Sequence, residues 1–376
     1  MNAWNSFSES KILKIQTVIE NYRTDFFKRS SGVNLPNTIC LGGLERPRSN
    51  ESQIDFFVSM PIKNQEEIIS DVLHDLILNM GKNFKLGLLF DNCDDNSFTI
   101  SKNLLLKSFE EYRHLQEVYF IVSDGELFES SAENILFKLC SQRFFISVQA
   151  DTYFIDVDFV QRSEIAFSTI PDLFAISGKA IVSFKILTKF KAICNSLLHF
   201  LNIVRKLPFR RNKKVKLGFY LPKLGYFGDL SSPPDIMMKF KSREFFRLYL
   251  GESLIRGPVI WNASIFRKLN GFNDVAHPLG RDDCDICFRA CLSGFVSGYL
   301  PCRAFSIFKQ GTTRKKRSIS AQRALDERSL LAERNPSRLS EFWDDKLDSI
   351  SLNQLKQQKN KFKKIYGSSI FLTKKS

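Results

Sequence analysis

Three aspartates stand within four residues, Asp282, Asp283 and Asp285, in the run Gly280-Arg281-Asp282-Asp283-Cys284-Asp285-Ile286-Cys287-Phe288-Arg289. Carboxylates set this close can abstract a proton, because like charges raise one another's pKa, or can cap a helix, whose N-terminus attracts anions. The spacing predicts a helix that begins here. Cys284, Cys287, Phe288 and Cys291 fall at i, i+3, i+4 and i+7 and form one apolar face. Asp282, Asp285 and Arg289 line another, with Asp285 and Arg289 an i,i+4 ion pair. Gly294 is placed to end the helix. Pattern alone leaves capping and catalysis both open. Two more acidic groups follow apolar runs: Asp91-Asn92-Cys93-Asp94-Asp95 after Leu88-Leu89-Phe90, and Asp156-Val157-Asp158 after Tyr153-Phe154. Asp91 is either a turn former, which Asp and Asn favour, or a ligand contact. Asp156 and Asp158 are either solvated carboxylates closing a strand or ligands for a divalent cation.

The elements that must position these residues alternate. The sequence predicts strands over 54–60, 84–90, 118–123, 144–148 and 153–157, and helices over 66–80, 104–115 and 132–142. Such alternation predicts an α/β fold, a parallel sheet covered by helices. Ligands in open sheets of this class bind beyond the carboxyl ends of strands. Residues 61–66, 91–97 and 156–158 are therefore expected on one rim, with Asp156 and Asp158 on the same side of their strand. An amphipathic helix over 1–30 and a linker over 30–53 precede the sheet. Beyond it, residues 167–179 read as a loop leading into a short strand. Residues 184–204 read as a helix suited to a membrane surface, and 217–252 as an aromatic-rich lid. Residues 311–376 read as a helical basic extension, with Trp343 as an anchor and a frayed tail.

Composition narrows the classes. The chain has 376 residues, 43% of them hydrophobic, which suffices for a substantial soluble core. Its 36 phenylalanines are spread throughout and read as core filling. The start is polar, unlike a signal peptide. The longest apolar run, 192–204, is too short to span a bilayer. Eight cysteines without paired metal spacing read as reduced thiols of the cytosol. The net charge of +15 gathers at 205–216, at 314–317 and in the tail, which favours anionic surfaces. No zinc-finger, RNP or helix-turn-helix pattern accompanies it, so an anionic membrane face is expected as partner rather than nucleic acid. Nucleophilic-serine, P-loop and dinucleotide fingerprints are absent as well.

Five blocks together are similar to family 2 glycosyltransferases. Phe57-Val58-Ser59-Met60-Pro61-Ile62-Lys63-Asn64-Gln65-Glu66 resembles that family's first strand and its "P-x-x-N-x-E" turn, and 88–97 its "D-N-x-S-x-D" loop. Residues 153–158 resemble its "D-x-D" strand. Residues 256–274, with Gly257, Pro258 and Gly271-Phe272-Asn273-Asp274, resemble the turn, strand and "GGF" segment. Residues 282–295 resemble "E-D-x-D-L-x-x-R". The resemblance implies a GT-A type, Rossmann-like nucleotide-binding sheet flanked by helices over 54–310. Residues 54–158 would take the nucleotide-sugar and 159–310 the acceptor, with helical extensions at 1–53 and 311–376. It implies a nucleotide-diphosphate sugar held by Pro61, Glu66, Asp91, Asn92, Asn134, Asp156 and Asp158, with Asp158 binding Mg or Mn. Gly257, Pro258, Asp282, Asp285 and Arg289 would meet a glycan or lipid-linked acceptor, and Asp283 would be the base of an inverting transfer. Cell-surface polysaccharide synthesis at the cytosolic face of a membrane is the implied setting. The chain departs from the pattern at Lys309, near which the family often has a late His, and at Glu133, where a basic residue is usual. Both departures leave open an inactive relative that keeps the fold for binding or scaffolding.

Overall fold

The computed structural model describes residues 5–47, 54–154, 156–178, 181–183, 245–251, 254, 257–280, 282–307, 322–323, 325–326, 349–367 and 369–372. The chain is mixed α/β, with a large central mixed sheet flanked by helices. Its heart is four parallel strands, β3 (Phe56–Ile62), β4 (Phe84–Asp91), β5 (Leu115–Ser123) and β6 (Phe144–Ser147). Both faces of these strands are covered, and their sequences run apolar without alternation, as strands buried on two sides must. Helices α2 (Ile69–Asn79), α3 (Ser97–Glu111) and α4 (Phe128–Lys138) make the crossovers. The apolar side of α2 shows why it packs there: Ile69, Val72, Leu73, Leu76 and Ile77 recur at helical spacing and are buried.

Across the sheet the parallel strands lie in the order β5-β4-β3-β6, that is third, second, first, fourth along the chain. The direction of winding reverses between β3 and β6. Such a switch point opens a crevice outside the carboxyl ends of the two strands.

The region expected to be a linker contains a strand. β1 (Asn5–Ser6) and β2 (Thr38–Glu45) extend the sheet, β2 running antiparallel along β5. Its Gly42-Gly43 pair has the look of a loop, yet Gly43 is there for close approach: a Cβ at that position would lie 2.1 Å from the Val118 carbonyl. Helix α1 (Glu9–Arg29) buries Ile15, Ile19, Tyr22 and Phe26 and is part of the same body.

After β6 come β7 (Thr152–Phe154), α5 (Phe159–Thr169), β8 (Leu173–Ser177), β9 (Ile181–Ser183), β10 (Arg247–Gly251) and β11 (Val259–Asn262). Helix α6 (Ala263–Lys268), α7 (Asp282–Leu292), β12 (Val296–Tyr299), β13 (Ala304–Ile307), α8 (Ser349–Tyr366) and β14 (Ser369–Phe371) follow. The main sheet continues from β6 as β11-β8-β12-β10-β14, with β11 antiparallel to both neighbours. β7, β13 and β9 form a second, three-stranded sheet. The tail expected to fray instead supplies β14, an edge strand paired to β10. The expected helix over 184–204, the expected lid over 217–252 as far as residue 244, Trp343 and Lys309 lie outside the described residues; the end of that expected lid is instead the strand β10, between β12 and β14. Nine of the eleven largest fully buried side chains are Phe, so phenylalanine does fill the core. Among the described residues no helix is long and apolar enough to cross a membrane.

Candidate functional site

The crevice is built from strand ends. Pro61 lies next to last in β3, and Asn64 follows at φ 49°. Asn92, just past β4, has φ 51°. Asn tolerates this left-handed conformation because its short side chain bonds locally. The two loops lock together. Asp94 N–H donates to Asn64 Oδ1 at 3.1 Å, and Glu66 N–H to Asp95 Oδ2 at 3.0 Å. Asn96 donates from both N and Nδ2 to Glu66 Oε2 at 3.0 Å. Lys63 pairs with Glu126 at 2.9 Å and donates to the Asn92 carbonyl.

Asp91 ends β4 and is buried. Its carboxylate accepts Leu127 N–H at 2.7 Å and Phe128 N–H at 3.1 Å, the backbone that opens α4. Phe128 stands at φ 63°, a strained value for an aromatic residue, which brings the second N–H round to Asp91. Burial pushes the Asp91 carboxyl up to about 7, and Glu126 adds to this, while Lys63 and the two N–H groups oppose it. Asp91 therefore joins β4 to α4 under the rim.

Asp156 and Asp158 do not share a strand face. β7 stops at Phe154, and both residues lie in the turn that opens α5. The run Tyr153-Phe154-Ile155 has a strand's composition, but β7 belongs to the second sheet. Asp156 is buried and bonds Arg162 at 2.7 Å and Arg303 N–H at 2.9 Å. Arg162 also donates to the carbonyls of Pro301 and Phe245. Asp158 is exposed. The intervening Val157 carbonyl lies 3.4 Å from where a Cβ on Gly81 would be, and Asn79 Nδ2 donates to Phe154 O at 3.1 Å. Gly81 precedes β4, whereas Asp91 is its last residue. Eight strand residues at about 3.3 Å each set them about 25 Å apart. The two aspartates expected to serve one donor are separated by the length of a strand.

The residues at the other lip of the crevice are ones that sequence reasoning missed. Val148 N–H donates to Ser59 O at 3.0 Å, extending the β3–β6 ladder one step. Gln149-Ala150-Asp151 follows. Gln149 Nε2 donates to Glu129 Oε1 at 3.1 Å, and Asp151 is 7% exposed. The signal was available: 144–148 was expected to be a strand, and its own end carries an acidic residue.

The acceptor-side segments adjoin this lip. Pro258 accepts Gly178 N–H at 2.7 Å, and Gly257 and Pro258 precede β11, whose Val259 pairs with Ser147 of β6. Asn134 does not face the crevice. It exchanges two hydrogen bonds of 2.9 Å with the Phe272 backbone, and Gly271 (φ 70°) leaves room for it. Glu133, beside it, accepts Ser59 and Ser147 hydroxyls at 2.7 and 3.2 Å beneath β3 and β6. Asp274, fully buried, accepts from Arg29 Nη1 at 2.9 Å, Ser131 Oγ at 3.0 Å and the Tyr22 hydroxyl. Ser130 donates to the carbonyls of Pro278 and His277 at 3.2 and 2.6 Å. The first turn of α4 thus holds both Asp91 and the segment that leads into α7.

In α7 the four candidate residues divide. Asp285 is fully buried and pairs with Arg289 at 2.8 Å, and Arg289 also donates to the carbonyls of Leu269 and Gly271. Asp282 is buried too. Asp285 with Arg289 anchors the helix. Asp283 is half-buried in the first turn and accepts Cys284 N–H at 2.8 Å. Cys287 and Cys291 are buried on the apolar face. Among the described residues no group of three or more His, Cys, Asp or Glu is arranged to hold a metal. A Mg-like cation needs one or two carboxylates when phosphates and water complete its shell, and Asp151 would be the carboxylate at this lip.

No family model matches the sequence, and no curated protein does. Among solved structures the chain is similar to the mannosyltransferase PcManGT from Pyrobaculum calidifontis, solved with GDP-Man and Mn2+. Identity is 10%, coverage 94% of this chain and 98% of that one, and the TM-score 0.42. It is also similar to residues 1-349 of TarS from S. aureus with UDP-GlcNAc, at 14% identity, 83% and 73% coverage and a TM-score of 0.41. At such identities and TM-scores the site's own residues decide the functional reading.

Proposed function

We propose that the chain is an inverting glycosyltransferase, moving a sugar from a nucleotide-diphosphate sugar to a glycan or lipid-linked acceptor. One observation supports the reading: the winding of the sheet reverses between β3 and β6, and a half-buried carboxylate, Asp283, closely follows the segment that Ser130 ties to the first turn of α4. The nucleoside lies against Pro61, Glu66 and Asn92, with Asp91 fixing the wall behind. The diphosphate points toward Asp151, which takes the place expected of Asp158. A divalent cation bound there would supply charge neutralisation of the leaving group.

Asp283 accepts the proton of an acceptor hydroxyl. The oxygen attacks the anomeric carbon from the face opposite the diphosphate, the bond to the diphosphate breaks, and its electron pair departs with the phosphate. One displacement inverts the centre. Gly257 and Pro258 shape the acceptor side, and Asp285 with Arg289 holds α7 in register.

Calorimetry with nucleoside diphosphates and their sugars, followed by transfer assays, tests this. Asp283→Asn should keep donor affinity within a few-fold while losing on the order of 100- to 10,000-fold in turnover. Turnover near the unmodified rate would remove Asp283 from the reaction. Donor binding without transfer by the native chain would favour a binding relative instead.

A further inference from the structure

Residues 349–376 contain seven lysines and no Asp or Glu. Three of them, Lys361, Lys363 and Lys364, are described on α8, which β14 follows. α8 packs on α7 and buries Phe362, and Tyr366 anchors it through a 3.1 Å hydrogen bond to Asp172. Lys361, Lys363 and Lys364 stay exposed. Beside them, apolar side chains are left in water. Ile365 is 54% exposed, Phe371 37% and Phe246 43%. Ile365 lies on α8 beside Lys361 and Lys364, Phe371 is in β14, and Phe246 directly precedes β10. Phe371 follows α8 by one turn and a strand, Leu372 N–H bonds Phe246 O at 2.8 Å, and Arg247 stacks 4.0 Å above the Phe371 ring. β14 is the last strand of the sheet, so its outer edge has no strand partner among the described residues.

Cations alone describe a solvated surface, and scattered apolar residues alone need no explanation. The combination is different. Lysines that attract headgroups, next to Phe and Ile that can enter the acyl boundary, form the surface of a peripheral membrane protein. We infer that the α8–β14 edge docks the chain on an anionic lipid bilayer. A nucleic acid would use the lysines and leave Ile365 and Phe371 without purpose; a bilayer uses both. The docking does not depend on the proposed sugar transfer. If both hold, the bilayer abuts the helix that bears Asp283, where a lipid-linked acceptor would arrive.

Co-sedimentation of the full chain, without nucleotide, with phosphatidylcholine vesicles and with vesicles that also contain phosphatidylglycerol tests the inference. The native chain should pellet with the anionic vesicles, less so as salt rises. Replacing Lys361, Lys363 and Lys364 by Gln should lower the partition coefficient on the order of 100-fold, about 5-fold for each lysine. Ile365→Ser with Phe371→Ser should reduce the binding that survives high salt. Unchanged thermal midpoints would show that both variants fold. Equal pelleting with the two vesicle types would overturn the inference, as would a lysine variant that binds like the native chain. Binding of an RNA or DNA oligonucleotide through these lysines, with vesicles left unbound, would overturn it as well. Vesicle binding is read without donor or acceptor, so its failure leaves the transferase reading standing, and the reverse.

Discussion

The two sides of the candidate site are held by different forces. On the nucleotide side, loops 63–66 and 92–97 lock together mainly through Asn and Asp side chains meeting nearby backbone N–H groups, and only about thirty residues separate the partners. On the acceptor side, arginines held by buried carboxylates tie distant segments: Arg29 reaches Asp274, Arg162 joins Asp156 to the Phe245 and Pro301 carbonyls, and Arg289 joins Asp285 to the Leu269 and Gly271 carbonyls. Solvent-exposed bonds of this kind contribute little each and tolerate substitution. Buried ion pairs stabilise little net, but losing one partner is costly, because the other charge stays buried and uncompensated. The acceptor half is therefore the side where single changes do the most harm.

The largest effect is expected at Arg162, whose side chain is 3% exposed. Arg162→Leu should destabilise by about 3–5 kcal/mol. Adding Asp156→Leu should restore most of that, since no charge is then stranded. If urea unfolding gave additive losses for the pair, the acceptor half would not be held by that charge, and the contrast between the halves would fail.

The nucleotide half was the legible one. Apolar periodicity located β4, β6 and α2 to within a few residues, because each is decided by its own sequence. Pro61, Glu66 and Asp91 were legible as strand-end residues, and Asp283 as part of an acidic helix start. β2, α5 and β14 were not, because partners far along the chain decide them: Phe371 pairs with Arg247, and Gly43 with Tyr119. The same cause put the strand expected before Asp156 and Asp158 into another sheet. Local sequence marks 153–157 as a strand followed by acids, but which sheet takes that strand depends on β13, some 150 residues on.

A middle-sized effect should separate the two acidic candidates. Asp151→Ala should weaken binding of a nucleoside diphosphate, measured with Mg or Mn present, by roughly tenfold or more, the loss of one charge-assisted contact. Asp158→Ala should leave it unchanged, since Asp158 lies a strand length from Asp91. Equal losses in both would mean that the donor spans the two sites; a loss confined to Asp158 would return the metal site to 156–158.

The smallest effect is a slope. Asp91 titrates near 7 in the folded chain against 3.8 for an unperturbed Asp. Between those values the folded state holds the proton that the unfolded state has lost, so stability falls as pH rises through this window. One proton limits the slope to about 1.4 kcal/mol per pH unit. Below the lower value the group adds no pH dependence, and above the upper one the cost of a buried carboxylate is complete. Asp91→Asn removes the proton but keeps an acceptor for Leu127 N–H. Denaturant unfolding followed from pH 4 to 8 should therefore give a shallower pH dependence in this variant than in the native chain. Identical slopes would place the Asp91 charge in water rather than under α4, and the nucleotide side would then lose the buried carboxylate that joins β4 to that helix.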